Sequence, residues 1–327
     1  MLKTNPAPLS TVILGFDGPS LPQSVASLLS MGLGGVALFK RNIEDPPQVR
    51  ELCASVREAC GRDWPPPVIA IDQEGGRVQR LRGLVSDMPS MAEVGKRGAG
   101  AVFEAGLETG RQVSALGFNV DFAPVLDVNT NKANPIIGDR AFAADADVCA
   151  RHGVEFMEGL HEAGVAACGK HFPGHGDTRA DSHLELPVVE AGIDTLLNRE
   201  LKPFELAAAR GIRMLMTAHC LYPAVDPDLP ATLSRRIIDG LLRRRIGFEG
   251  VVITDDLGMK AVSERFSFQE ILGFGFEAGV DLFMHCGAKG EGEELAHTLL
   301  SMLDGGDLDD SVVEASARRV MVLRTGL

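Results

Sequence analysis

GVVITDD, residues 250–256, sets the unbroken apolar run Val251–Ile253 directly against two adjacent carboxylates, Asp255 and Asp256. A run that is apolar at every position, not at every second one, suits a strand covered on both faces, as parallel strands are. Similar runs recur along the chain: TVILGF from Thr11, GVALF from Gly35, PVIAID from Pro67, FNVDFAPVLDV from Phe118, VAACGKHF from Val165, RMLMTAH from Arg213 and VDLFMHC from Val280. The intervals between them leave room for helices. RRIIDGLLRRRIGF reads as one, with Ile238, Leu241, Leu242 and Ile246 on one face. Ser234 is its expected N-cap and Gly247 its stop, with Arg243–Arg245 on the solvated side. Eight strands alternating with helices, with no composition break, predict an α/β chain. The expected architecture is a single-domain (β/α)8 TIM barrel over residues 1–327, ending in a helix over Leu308–Leu327. A doubly wound open sheet is the alternative, but eight is the strand number that closes.

The chain has 327 residues, 45% of them hydrophobic, which is enough for a well-buried core. A net charge of −13 argues against nucleic acid and anionic membrane surfaces as partners. The six cysteines are scattered without a CxxC pair, as in a reducing compartment. MLKTNPAPLS carries no apolar signal-peptide core. No apolar run approaches the roughly 20 residues that cross a bilayer. The expectation is a soluble cytoplasmic protein.

A barrel places its chemistry at the C-terminal ends of its strands. Asp72, the pair Lys170 and His171, His219, and the pair Asp255 and Asp256 all stand at such ends and are expected to face one mouth. Between the fifth and sixth strands, KHFPGHGDTRADSH (170–183) adds a dense set of histidines and carboxylates. A metal could take His171, His175, Asp177, Asp181 and His183 as ligands. Against that reading, the Lys170 ammonium would repel a cation, and no HxH ends the first strand. Acid–base work fits better. In an extended segment Asp181 and His183 share a side, so Asp181 can fix the His183 tautomer and leave its other nitrogen to exchange a proton. Gly169, Gly174 and Gly176 make the surrounding loop permissive. VITDDLGM offers Asp255 as a carboxylate nucleophile; of Asp255 and Asp256, one should face the mouth and the other turn toward a helix or a backbone donor. A carboxylate with a separate acid about 5 Å away is the arrangement for retaining glycoside hydrolysis.

GGVALFKRN, IDQEGGRVQR, FAPVLDVN, KHFPGHGDTRADSHLELP, MTAHCLYPAVD and VVITDDLGM follow one another in a familiar order. Through them the chain closely resembles the single-domain bacterial β-N-acetylglucosaminidases of glycoside hydrolase family 3, the kind used in peptidoglycan recycling. The resemblance implies Asp255 as nucleophile, His183 as general acid/base and Asp181 as its partner. It implies Asp72, Arg80, Arg140, Lys170 and His171 as holding the terminal sugar. No cofactor or metal is implied. The implied substrate is a small carbohydrate ending in N-acetylglucosamine, from a muropeptide or a chitin fragment. Two positions depart from the family pattern: Asp139 stands where glutamate is usual, and Gly258 where serine is common. The sandwich domain of the larger β-glucosidases is not expected. A phosphorylase, a metal-dependent barrel hydrolase and a non-catalytic sugar-binding protein are the rival readings.

Overall fold

Each of the eight apolar runs contributes a strand to one parallel sheet. The computed structural model describes residues 7–178, 186–287 and 290–327. Its strands are β1 (Val12–Leu14), β2 (Gly35–Leu38), β3 (Val68–Ile71), β4 (Gln73–Gly75), β5 (Val78–Gln79), β6 (Val120–Asp121), β7 (Ala166–Phe172), β8 (Met214–Thr217), β9 (Val251–Ile253) and β10 (Phe283–His285). The neighbour order in the large sheet is β10-β1-β2-β3-β6-β7-β8-β9. An isolated bridge between Ile253 and Leu282 and a 2.9 Å bond from Thr254 N to Leu282 O bring β9 to β10 and close the barrel. The antiparallel ribbon β4–β5 is an addition that the sequence reading lacks. It is too short to show a hydrophobic period.

Within each apolar run the side chains alternate between two cores. Ile13, Ala37, Val68, Ala70, Ala166, Cys168, Met214, Met216, Val251 and Ile253 share the inner cluster. Val12, Leu14, Val36, Leu38, Ile69, Ala167, Leu215 and Val252 join the outer cluster under the helices. Burial on both faces is why these strands are apolar at every position.

The helix Arg236–Ile246 stops at Gly247, which adopts a left-handed φ of 77°. Ser234 Oγ accepts from Ile237 N at 3.2 Å, and Ile238 and Leu242 are buried as expected. One expectation for this helix is corrected. Arg243 is not solvated: it donates to Phe248 O at 2.9 Å, Gly250 O at 2.7 Å and Asp281 Oδ2 at 2.5 Å. Buried Asp281 needs a cation, and that need turns Arg243 inward. Arg244 does stay on the exposed side.

The expected closing helix spans Asp310–Thr325. Its Val320 and Leu323 enter the inner cluster. Arg324 is fully buried beside them and donates to Pro65 O at 2.7 Å, Pro66 O at 3.0 Å and Leu33 O at 3.2 Å. Among the described residues no helix is long and apolar enough to cross a membrane. All six cysteines are free and buried.

Candidate active site

The inward alternation continues past the strand ends. Asp72 follows Val68 and Ala70, Lys170 follows Ala166 and Cys168, and Asp255 follows Val251 and Ile253. Three apolar strands thus each place one charged group above the inner core. There they line a cavity of about 200 Å³ together with Glu74, Arg80, Arg140 and His171. Phe39, Ile136, Met216, Met259 and Met284 form its apolar wall. Wider grooves of about 470 and 550 Å³ lie elsewhere, lined in part by Glu293 and His297 or by Arg235 and Asp239. Neither gathers strand-end charges in this way.

The charges in the cavity hold one another. Lys170 Nζ lies 2.7 Å from Asp72 Oδ1 and 2.6 Å from Glu74 Oε1. Arg80 donates to Asp72 Oδ2 at 3.0 Å, and its guanidinium sits 5.3 Å from the Phe39 ring centre. Arg140 grips Glu74 through Nε and Nη2, both at 2.8 Å. Burial alone would raise the Asp72 carboxyl, but Lys170 and Arg80 hold it well below the usual range. Glu74 is likewise lowered despite burial, by Arg140 and Lys170. Both carboxylates are therefore ionised at neutral pH.

Asp255 and Asp256 both line the cavity, but their carboxylates are held by different donors. Asp256 Oδ1 accepts from Cys286 N at 2.8 Å and Gly258 N at 2.9 Å. Asp255 Oδ1 accepts from Asp256 N at 2.8 Å. Burial works to raise Asp255, but His171, His219 and that backbone donor bring it below its ordinary value. His219 is fully buried and does not line the cavity, which corrects its expected place at the mouth. It bonds Thr232 Oγ1 at 2.7 Å through Nδ1 and Asp256 O at 3.1 Å through Nε2. Burial lowers its affinity for a proton, and the ring ties down the turn that carries Asp255.

His171 and His175 have partners of other kinds than a metal. The ladder between β7 and β8 shifts register between Lys170 and Phe172. Beyond the shift Phe172 packs edge-on to Phe204 in the outer core, 5.3 Å between ring centres. His171 Nδ1 lies 2.7 Å from Asp127 Oδ2, which orients its ring. His175 donates its backbone N–H to Asp127 Oδ1 at 2.6 Å, and its Nδ1 is 2.7 Å from Thr178 Oγ1. Asp177 pairs with Arg199 at 2.8 Å. Among the described residues no group of three or more His, Cys, Asp or Glu is placed to hold a metal ion. Asp181 and His183 lie outside the described residues.

Asp72, Arg80, Arg140, Lys170, His171 and Asp255, singled out in the sequence, all line one cavity. Glu74 and Asp127 escaped the sequence reading. Glu74 stands two positions after Asp72, so an extended reading of IDQEGG would have placed both on one side. Asp127 gives no such signal, because it lies 44 residues from His171.

Residues 20–323 match the glycosyl hydrolase family 3 N terminal domain. The chain is 37% identical over 288 residues to a protein named β-hexosaminidase from Haemophilus influenzae, covering 86% of this chain and 81% of that protein. It superimposes with a TM-score of 0.94 and 39% identity on a family 3 β-N-acetylglucosaminidase from Paenibacillus sp.. That match covers 100% of this chain but 63% of the Paenibacillus chain. NagZ from Neisseria gonorrhoeae, solved in complex with N-trifluoroacetyl-D-glucosamine, is 31% identical with a TM-score of 0.81, over 98% of this chain and 91% of that one. With a barrel of this topology and a matched stretch of this length, the chain belongs to glycosyl hydrolase family 3.

Proposed function

We propose that this chain is an exo-acting β-N-acetylhexosaminidase that releases terminal β-linked N-acetylglucosamine with retention, through a glycosyl–Asp255 intermediate. The observation that carries the reading is an ionised, backbone-anchored Asp255 in the same small cavity as a clamp of fixed charges. A cavity of about 200 Å³ suits one terminal sugar unit and not the middle of a chain. Asp72 can accept from sugar hydroxyls, while Arg80, Arg140 and Lys170 donate to hydroxyl or carbonyl oxygens. Because these groups already pair with one another, they are held in place before the sugar arrives, and little reorganisation is needed.

In the first step Asp255 attacks the anomeric carbon and His183 protonates the leaving oxygen. In the second His183 takes a proton from water, which displaces Asp255 and regenerates the carboxylate. Asp181 orients His183 in this scheme. Asp127 holds His171 through Nδ1 and leaves Nε2 for a sugar hydroxyl. A single catalytic domain, a cytoplasmic setting and a leaving group from recycled wall or chitin complete the proposal. Six free buried thiols support the reducing compartment.

The test is hydrolysis of a nitrophenyl β-N-acetylglucosaminide by chelator-treated protein, beside the matching β-glucoside and with and without phosphate. Turnover of the amide sugar alone, unchanged by phosphate and abolished in Asp255→Asn, is expected. Full turnover in Asp255→Asn overturns the nucleophile, and dependence on phosphate would make the chain a phosphorylase.

A further inference from the structure

The segment from Asn131 to Arg140 joins two parts of the site that are far apart in sequence. At its end Arg140 grips Glu74. Arg77, from the ribbon after β3, donates to the carbonyls of Pro135, Ile136 and Ile137. At its start Asn131 Nδ2 donates to Thr178 O at 2.9 Å. Between them lies Asn134, 6% exposed, whose amide is used in full. Its Oδ1 accepts from Ile136 N at 2.8 Å and Ile137 N at 2.9 Å. Its Nδ2 lies 2.9 Å from His175 O, 3.1 Å from Gly176 O and 3.2 Å from Thr178 Oγ1.

The two faces of that amide admit only one orientation. One side meets backbone N–H donors and the other meets oxygen acceptors, so carbonyl and amino groups cannot exchange. No other small side chain offers a fixed acceptor and a fixed donor back to back. The turn it holds is packed closely: a Cβ on Gly176 would lie 1.8 Å from Val128 O.

We infer that Asn134 is a positioning residue that fixes the Ile136–Arg140 arm and the His175–Thr178 turn in one relation to each other. One arm delivers a sugar-binding cation. The other leads in sequence toward His183. Asn134 touches neither substrate nor reacting atoms; it acts through the backbone of both arms. The inference rests on the glycosidase reading above, since it assigns the two arms to sugar binding and to acid catalysis.

The experiment compares Asn134→Asp and Asn134→Ala with the wild type on two aryl β-N-acetylglucosaminides. One aglycone is an alkyl-substituted phenol that needs protonation to leave, and the other is dinitrophenol, which does not. Asn134→Asp keeps the acceptor for Ile136 and Ile137 but turns an oxygen toward the carbonyls of His175 and Gly176. Its kcat/KM should fall about 10-fold further on the poor leaving group than on dinitrophenol, because only the acid arm has shifted. Its inhibition constant for N-acetylglucosamine should stay near the wild-type value. Asn134→Ala frees both arms, so that constant should rise as well.

Equal losses on both aglycones, or no loss, overturn the inference. Should Asn134→Asp lack a cooperative melting transition, the shorter, neutral Asn134→Ser is read in the same assay. Failure of both to fold assigns Asn134 to folding and also overturns it. The wild type and Asp255→Asn run alongside: no turnover by the wild type sinks the glycosidase reading, and turnover retained in Asp255→Asn sinks its nucleophile, whatever Asn134 does.

Discussion

Glu74 and Arg140 meet through two parallel 2.8 Å hydrogen bonds, and the Lys170 ammonium shares the same carboxylate at 2.6 Å. Replacing Glu74 by Gln would leave two buried cations with one carboxylate, Asp72, between them. Removing one partner from such a network costs about 3–5 kcal/mol of stability. Glu74→Gln should therefore lower the urea midpoint markedly. It should also raise KM more than it lowers kcat, because in the proposed mechanism the misplaced groups bind sugar and do not react.

Asp72 and Glu74 also predict acid sensitivity. Both are depressed in the folded chain, so their contribution is complete above the unfolded carboxyl value of about 4 and is lost as pH falls toward the folded values. Urea unfolding should show stability falling below about pH 4, with a shallower slope in Glu74→Gln. An equal slope in both proteins would remove Glu74 from the account.

Asp121 runs the other way. It is fully buried, accepts from Gln73 N at 2.9 Å through Oδ1, and has no hydrogen-bond partner at Oδ2 among the described residues. Burial pushes its carboxyl up to about 8. Between about pH 4 and pH 8 the folded chain keeps a proton that the unfolded chain has lost, so this contribution falls as pH rises. Asp121→Asn resembles the neutral acid and lacks that slope. Its stability relative to wild type should improve by on the order of 4 kcal/mol from pH 5 to pH 8, read by urea unfolding at each pH.

Asp127 takes three bonds from one segment: His171 N, His171 Nδ1 and His175 N. Asp127→Asn cannot accept all of them, and it removes the charge that orients His171. We expect kcat/KM to fall about 10–100-fold, by analogy with loss of the carboxylate that orients a metal-ligating histidine. Calorimetry should show weaker N-acetylglucosamine binding in a protein that still melts cooperatively.

Arg243 and Arg244 are neighbours with opposite fates. Arg243→Ala strips buried Asp281 of a cation and should cost about 3 kcal/mol, whereas Arg244→Ala should stay within about 0.5 kcal/mol. Equal effects in urea unfolding would overturn the corrected placement of Arg243.

The barrel was legible because its signal is local. Each strand is apolar at every position, and Asp72, Lys170 and Asp255 follow the inward alternation of the runs before them. What escaped was set by contacts remote in sequence. Nothing near Arg243 announces Asp281, 38 residues on. Nothing near His171 announces Asp127, and His219 looks like a site residue until Thr232 and Asp256 are seen to engage both its nitrogens. The ribbon β4–β5, which carries Glu74 toward Arg140, was too short to read.

Arg324 fills the barrel floor with carbonyl partners as far as 292 residues earlier in the chain. A ribosome makes those carbonyls long before their donor. Until Arg324 emerges, Leu33 and Pro65 have no guanidinium to meet, and Val320 and Leu323 are missing from the inner core. The eight strands can pair during synthesis, but the floor of the barrel is set only once Arg324 has been made.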